Sequence, residues 1–269
     1  MKVGDLVIHP VHDGLARLPA DELLSYTGPA DDPWAPHRRF LSEGQILELS
    51  LGGFLVRTGD RLVLIDAGVG RFDNGVFAGG RLMDSLAAHG VAPTDVTDVV
   101  FTHLHFDHVG WATQQGDIVF PRATYRCHAA DWDHFVAGAG ALKGAVRKLS
   151  PITERLQVFA GEATIAPGID VRPAPGHTPG STVVVVSSGA ERALLLGDVI
   201  HCPVELIESD WEMVHDVDPA LAARTREALA KELEGSHTPV AAAHFPGLRF
   251  GRLLPGTATR RSWVFEGSS

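Results

Sequence analysis

The chain of 269 residues holds only two cysteines, Cys127 and Cys202. So few in a chain this long exclude a disulfide framework, and they read as reduced thiols of a cytoplasmic protein. Positive charge is also scarce. There are 23 Lys and Arg against 33 Asp and Glu, which leaves a net charge of −10. No Lys/Arg cluster is available to track phosphates, so no nucleic-acid partner is expected. No apolar run approaches the ~18 residues of a membrane span. Met1-Lys2-Val3-Gly4-Asp5 leads into histidines and acids rather than the apolar core of a signal peptide, so no membrane association is expected either. Low-complexity segments and domain linkers are absent.

What is there is apolar bulk and histidine. Apolar residues make up 45% of the chain, enough for the core of one large domain. Fourteen histidines is a high count that asks for an explanation. Residues 1–45 mix five prolines with acids and aromatics, and read as an N-terminal arm with one short strand and room for a short helix. Residues 46–269 read as a single domain.

Within that domain, Ile46–Leu51 and Phe54–Val56 read as a hairpin turning at Gly52-Gly53, and Arg61–Asp66 as a buried strand. Arg81–His89 has helical spacing stopped by Gly90. Val96–Phe101 is a strand that delivers a histidine-rich loop. The second half repeats the pattern. Strands are expected at Gly168–Val171, Ser181–Val186, Arg192–Leu196 and Pro239–Ala243, with a helix at Pro219–Leu233 and another over Ala141–Leu156 that is interrupted near Pro151. Two similar halves of mixed strands and helices suggest an α/β protein, with two sheets face to face and helices outside.

The loop after Phe101 reads Thr102-His103-Leu104-His105-Phe106-Asp107-His108. His103 and His105 are two apart, so in an extended segment both imidazoles point one way and can grip one cation. Asp107 and His108 lie in the turn beyond, where they can face a second. Imidazole and carboxylate without thiolate suits zinc, iron or manganese. Three more donors end buried strands farther on: His177 in Pro175-Gly176-His177-Thr178-Pro179-Gly180, Asp198 in Leu196-Gly197-Asp198, and His244 in Ala242-Ala243-His244-Phe245-Pro246. A strand end on a rigid scaffold is where ligands are presented.

With these residues the chain resembles the metallo-β-lactamase superfamily, whose mark is an H-x-H-x-D-H loop followed by a later His, Asp and His. The resemblance spans about Leu47 to His244 and includes Asp66-Ala67-Gly68 as an early Asp-x-Gly turn. It implies a four-layer αββα sandwich of two mixed β-sheets flanked by helices. It implies one metal on His103, His105 and His177, a second on Asp107, His108 and His244, and Asp198 bridging them. Zinc is the expected pair, with iron, cobalt or manganese as alternatives. Asp66 is then expected to orient a ligand rather than to be one. A carboxylate at Asp198 resembles the lactonase, thioesterase and organophosphate-hydrolase branches more than true β-lactamases. Related lactonases often carry a tyrosine three residues later, where this chain has His201. That departure, with Asp216-Val217-Asp218-Pro219, resembles the methyl-parathion-hydrolase-like branch.

The expected function is a dinuclear metal-dependent hydrolase. A metal-bridging hydroxide would open lactones or cleave related esters, with Asp107 moving a proton and His201 contacting the oxyanion. Phe106 and Trp111 are expected walls of a small-molecule pocket. A glyoxalase-II-like thioesterase, or a mononuclear iron dioxygenase acting on persulfides, is the alternative on the same scaffold. A non-catalytic binding protein would show lost ligands, and none is lost. A homodimer fits both the arm and the resemblance.

Overall fold

The segment Arg61-Leu62-Val63-Leu64-Ile65 shows why the chain stacks in layers. Side chains alternate between the two faces of a strand, and here both faces are apolar. Leu62 and Leu64 join a buried cluster with Leu82 and Leu86 of a helix. Val63 and Ile65 join another with Val184, Val186 and Leu195, from strands more than a hundred residues later. A strand apolar on both sides must be covered on both sides, by a helix and by a second sheet.

The computed structural model describes residues 1–257 and 260–267. Among these, the first sheet contains β1 (Leu6–Pro19), β2 (Ile46–Thr58), β3 (Arg61–Ile65), β4 (Asp98–Val100), β5 (Thr124–His128) and β6 (Leu156–Phe159), in that spatial order. β1, β2 and β3 are antiparallel neighbours, and β3 through β6 run parallel. The second sheet orders β7 (Ala163–Ala166), β8 (Ile169–Pro173), β9 (Thr182–Ser188), β10 (Glu191–Leu195), β11 (Val240–Ala241), β12 (Gly251–Thr257) and β13 (Arg260–Phe265). Only the β10–β11 pair is parallel. Helices α1 (Leu82–Ala88) and α2 (Lys143–Leu149) cover the outer face of the first sheet, and α3 (Pro219–Leu233) that of the second. The fold is the expected αββα sandwich of two mixed sheets.

α3 forms where its sequence signals place it. Asp218 caps it, its side chain accepting from Leu221 N at 2.9 Å, and Pro219 occupies the first turn. Ala222, Leu229, Ala230 and Leu233 form its buried stripe. No described helix is long and apolar enough to cross a membrane.

Three expectations are corrected. Residues 1–45 supply more than one short strand: β1 is 14 residues long and pairs with β2 from Ile8 to Pro19. Gly52-Gly53 is not a turn. β2 runs straight through it, because the glycines allow close approach of both neighbouring strands. A Cβ at Gly52 would stand 2.1 Å from Val11 O, and one at Gly53 would stand 2.3 Å from Ile65 O. The helix expected over Ala141–Leu156 breaks near Pro151 as expected but is shorter at both ends: α2 spans Lys143–Leu149, a 3₁₀ turn follows at Ser150–Arg155, and β6 begins at Leu156.

Candidate metal centre

All seven expected donors meet at one edge of the sandwich. β4 delivers the loop carrying His103 to His108. The β8–β9 turn carries His177, the end of β10 carries Asp198, and the end of β11 carries His244. All but His105 are buried, and His105 is partly open.

The donors fall into two groups. In the first, His105 Nδ1 lies 3.0 Å from both His103 Nε2 and His177 Nε2. Asp198 Oδ2 stands 3.6 Å from His103 Nε2 and 3.7 Å from His177 Nε2. These separations approximate the edge of a tetrahedron, about 3.4 Å for nitrogens ~2.1 Å from a zinc ion. In the second group, Asp107 Oδ2 is 3.6 Å from His244 Nε2 and 4.0 Å from His108 Nε2. Asp198 faces this group too, with Oδ1 3.1 Å from His108 Nε2 and Oδ2 3.0 Å from His244 Nε2. His108 Nε2 and Asp198 Oδ1 are buried and, though 3.1 Å apart, are not aligned as a hydrogen bond, so neither has such a partner among the described residues. Leaving such atoms bare is costly. Converging lone pairs with orphaned donor atoms between them is what a cation site needs, so these residues fit two divalent ions.

The opposite ring nitrogens are held from outside. His108 Nδ1 lies 2.9 Å from Asp66 Oδ2, and Asp66 also accepts from Thr102 N and Thr102 Oγ1, both at 2.8 Å. Asp66 has a positive φ of 59° at the end of β3, which turns its carboxylate inward. His177 Nδ1 lies 3.0 Å from Asp216 Oδ1, and His244 Nδ1 the same distance from the Ser50 carbonyl. Such partners fix tautomer and ring orientation.

Electrostatics divides the groups further. Burial, then His177, pushes His105 down to about 3. Burial, then His108, holds His103 well below the usual imidazole range. Both are neutral at pH 7, the form that ligates. His108 moves the other way: burial opposes its charge, but Asp198, Asp66 and Asp107 hold it well above the usual range. Burial opposes ionisation of Asp198 as well, yet four histidines, His108 foremost, keep its carboxyl well below its ordinary value. The second group therefore attracts positive charge.

His201 is also brought in. It is 3% exposed, its Nε2 is 3.3 Å from Asp198 Oδ2, and its ring stacks on His244 with centroids 5.5 Å apart. Phe106 is half-exposed and lines a cavity of about 570 Å³ that His105 also borders. Trp111 is not a wall of that cavity. It is 3% exposed in the core beneath the first sheet, and its Nε1 donates to Asp13 Oδ1 at 2.8 Å. Apolar bulk drew the ring inward, and Val109 borders the cavity instead.

Sequence reasoning missed three carboxylates. Asp13 sits at a β-bulge between His12 and Gly14, fully buried, and accepts from Val69 N, Gly70 N, Gly80 N, Leu82 N and Trp111 Nε1. Asp131 accepts from Leu104 N, Gly180 N and Thr178 Oγ1, so one side chain ties the first histidine loop to the His177 turn. Glu205 accepts from His201 N at 2.6 Å and Cys202 N at 2.9 Å. Nothing in their local sequence, as in Val11-His12-Asp13 and Ala129-Ala130-Asp131, sets these acids apart.

A sandwich of two mixed sheets with histidines and aspartates gathered at one edge defines a metallo-hydrolase type of scaffold. The family model described as the metallo-beta-lactamase superfamily matches residues 53–244. The chain belongs to that superfamily. It is 26% identical to an N-acyl homoserine lactonase of Bacillus sp. over 178 residues, covering 58% of this chain and 66% of that enzyme. It is 24% identical to the N-acyl homoserine lactonase of Bacillus thuringiensis over 214 residues, covering 71% and 81%. It is similar to the solved structure of AidC, a dizinc quorum-quenching lactonase, with a TM-score of 0.86, 25% identity and coverage of 100% and 97%.

Proposed function

We propose that this protein is a dinuclear metal-dependent hydrolase that opens lactones or cleaves related esters of small molecules. The observation that carries the reading is the complete double donor set, with Asp198 between its two halves at 3.0 to 3.7 Å from four histidine nitrogens. His103, His105 and His177 would hold one cation and Asp107, His108 and His244 the other, with Asp198 available to both. Zinc suits these donors, and iron, cobalt or manganese can replace it. When bound, the two ions supply Lewis acidity and a water nucleophile at neutral pH.

The chain's own residues do the rest. Asp107 is the donor next to the cavity-lining Phe106, and its carboxylate carries a proton to the departing alkoxide. His201 Nε2 donates to the oxygen on which negative charge develops. Phe106 excludes water from one side of the reacting ester. The complete second group, with His108 and His244, supports two ions over the single iron of a dioxygenase. A cytoplasmic location is supported by the free, buried thiols of Cys127 and Cys202. A homodimer is part of the same proposal, with exposed Leu15 and Val76 on adjacent segments as its contact.

Metal analysis combined with a hydrolysis panel tests the reading. The expected result is two metal equivalents per chain and chelator-sensitive turnover of lactones or aryl esters. Phosphotriesters, thioesters and β-lactams complete the panel, and inertness of the metal-loaded protein towards all lactones and esters would overturn the proposal.

A further inference from the structure

The cavity beside His105 and Phe106 combines apolar walls with charge of one sign. Its walls are mainly apolar: Val69, Phe72, Phe106, Val109, Phe135 and Leu142. At about 570 Å³ it takes a medium-length alkyl or aryl-alkyl chain. Its charged lining is of one sign. Arg71, Arg147 and Lys148 border it and no Asp or Glu does, although the chain as a whole has a net charge of −10.

The three cations are not equivalent. Lys148 Nζ is occupied, donating to Gly110 O at 2.8 Å and Thr113 O at 3.0 Å, and its charge reaches the cavity only as a field. Arg71 and Arg147 are exposed, and neither makes an ion pair among the described residues. Arg71 is held on a built support. The backbone just before it is fastened by Asp13, which accepts from Val69 N and Gly70 N. The backbone after it is fastened by Gly79 N donating to Phe72 O. The guanidinium lies 5.9 Å from the centre of the Trp111 ring, the ring that Asp13 also anchors. Arg147 comes from the last turn of α2, whose Ala145 also lines the cavity.

We infer that the substrate is an amphiphilic anion: a lactone or ester whose apolar chain lies in this cavity and ends in a carboxylate or similar anionic group at Arg71 and Arg147. The inference rests on the hydrolase reading for its reaction but on the cavity alone for its recognition. An apolar wall bordered by two guanidinium groups without ion pairs matches a chain that carries an anion, since Arg pairs carboxylates in a bidentate fork. A neutral chain would draw no binding energy from either guanidinium group.

The test separates recognition from reaction. Calorimetry on the metal-loaded protein compares an alkane-α,ω-dioate with the alkanoate of the same length. Both offer one carboxylate to the metal site, and only the dioate offers a second at the rim. The dioate should bind up to about tenfold tighter at low salt, each exposed pair adding roughly 1.4- to fivefold. That advantage should vanish in the double variant Arg71→Gln/Arg147→Gln, with an unchanged melting temperature showing that both proteins are folded. Equal binding of the two ligands by the unaltered protein, or an advantage that survives in the double variant, overturns the inference. A kinetic arm compares a γ-butyrolactone with a straight acyl-amide chain ending in carboxylate and its methyl-ended counterpart. The anionic-to-neutral ratio of kcat/KM should fall towards one in the double variant. If neither lactone turns over while the dioate preference holds, the hydrolase reading fails and the recognition inference stands.

Discussion

Asp13 Oδ1 accepts a hydrogen bond of 2.8 Å from Trp111 Nε1, joining the first long strand to the residue three places past the metal-binding motif. Four backbone N–H groups share the same carboxylate. Asp13→Ala would leave five donors without their acceptor in a dry environment. The expected cost is about 3 kcal/mol or more, since each stranded buried donor costs ~1–3 kcal/mol before relaxation or water entry. Thermal unfolding should show a fall of about 6–10 °C, and a shift below about 2 °C would mean water replaces the carboxylate.

Asp66 and Asp216 orient one histidine in each donor group, His108 and His177. Asp66→Asn and Asp216→Asn should therefore weaken different ions. The affinity of one equivalent should fall about 10–100-fold in each variant while the other is kept. Titration against a chromogenic chelator resolves the two equivalents, and an equal loss at both sites in either variant would contradict the division.

His201→Ala should lower kcat about 100-fold with little change in KM, the signature of a hydrogen bond made only in the transition state. Its ring stacks on His244, so metal content is measured alongside. Full kcat with both metals present would assign the ring to packing.

The metal-free protein should lose stability as pH falls below about 6.5. In the fold His105 stays neutral down to about 3, against an ordinary value of 6.5. Between those values the unfolded chain binds a proton that the folded chain refuses, so stability rises with pH across that window. The contribution is fully present above 6.5 and is lost on the way down to 3. At about pH 4 it amounts to roughly 3 kcal/mol at most. Denaturant unfolding of His105→Gln, metal-free, should show a shallower loss over that range, and a parallel pH profile would exclude the effect.

The site was more legible in the sequence than what supports it. Metal donors are few residue types at tight spacing, and His103-Leu104-His105-Phe106-Asp107-His108 carries its geometry in its order. His177, Asp198 and His244 were findable because each ends an apolar run. Asp13 and Asp131 were not, because most of their partners are backbone N–H groups, which every residue has. Gly52-Gly53 misled for a related reason. A glycine pair between apolar runs signals a turn, and here it signals a strand pressed between two others, a distinction that depends on neighbours far away in the chain. Trp111 was misplaced because an aromatic beside a metal loop serves a pocket or a core equally well, and only the position of Asp13 decides.

Asp131 touches Leu104 from the first half of the chain and Thr178 and Gly180 from the second. The cation donors straddle the same seam, coming from the ends of strands in both sheets. A bound ion is thus a rivet between two leaves as well as a reagent. Its removal would let the sandwich breathe along one edge, and the amides around Leu104 and Gly180 would be the first to exchange with solvent.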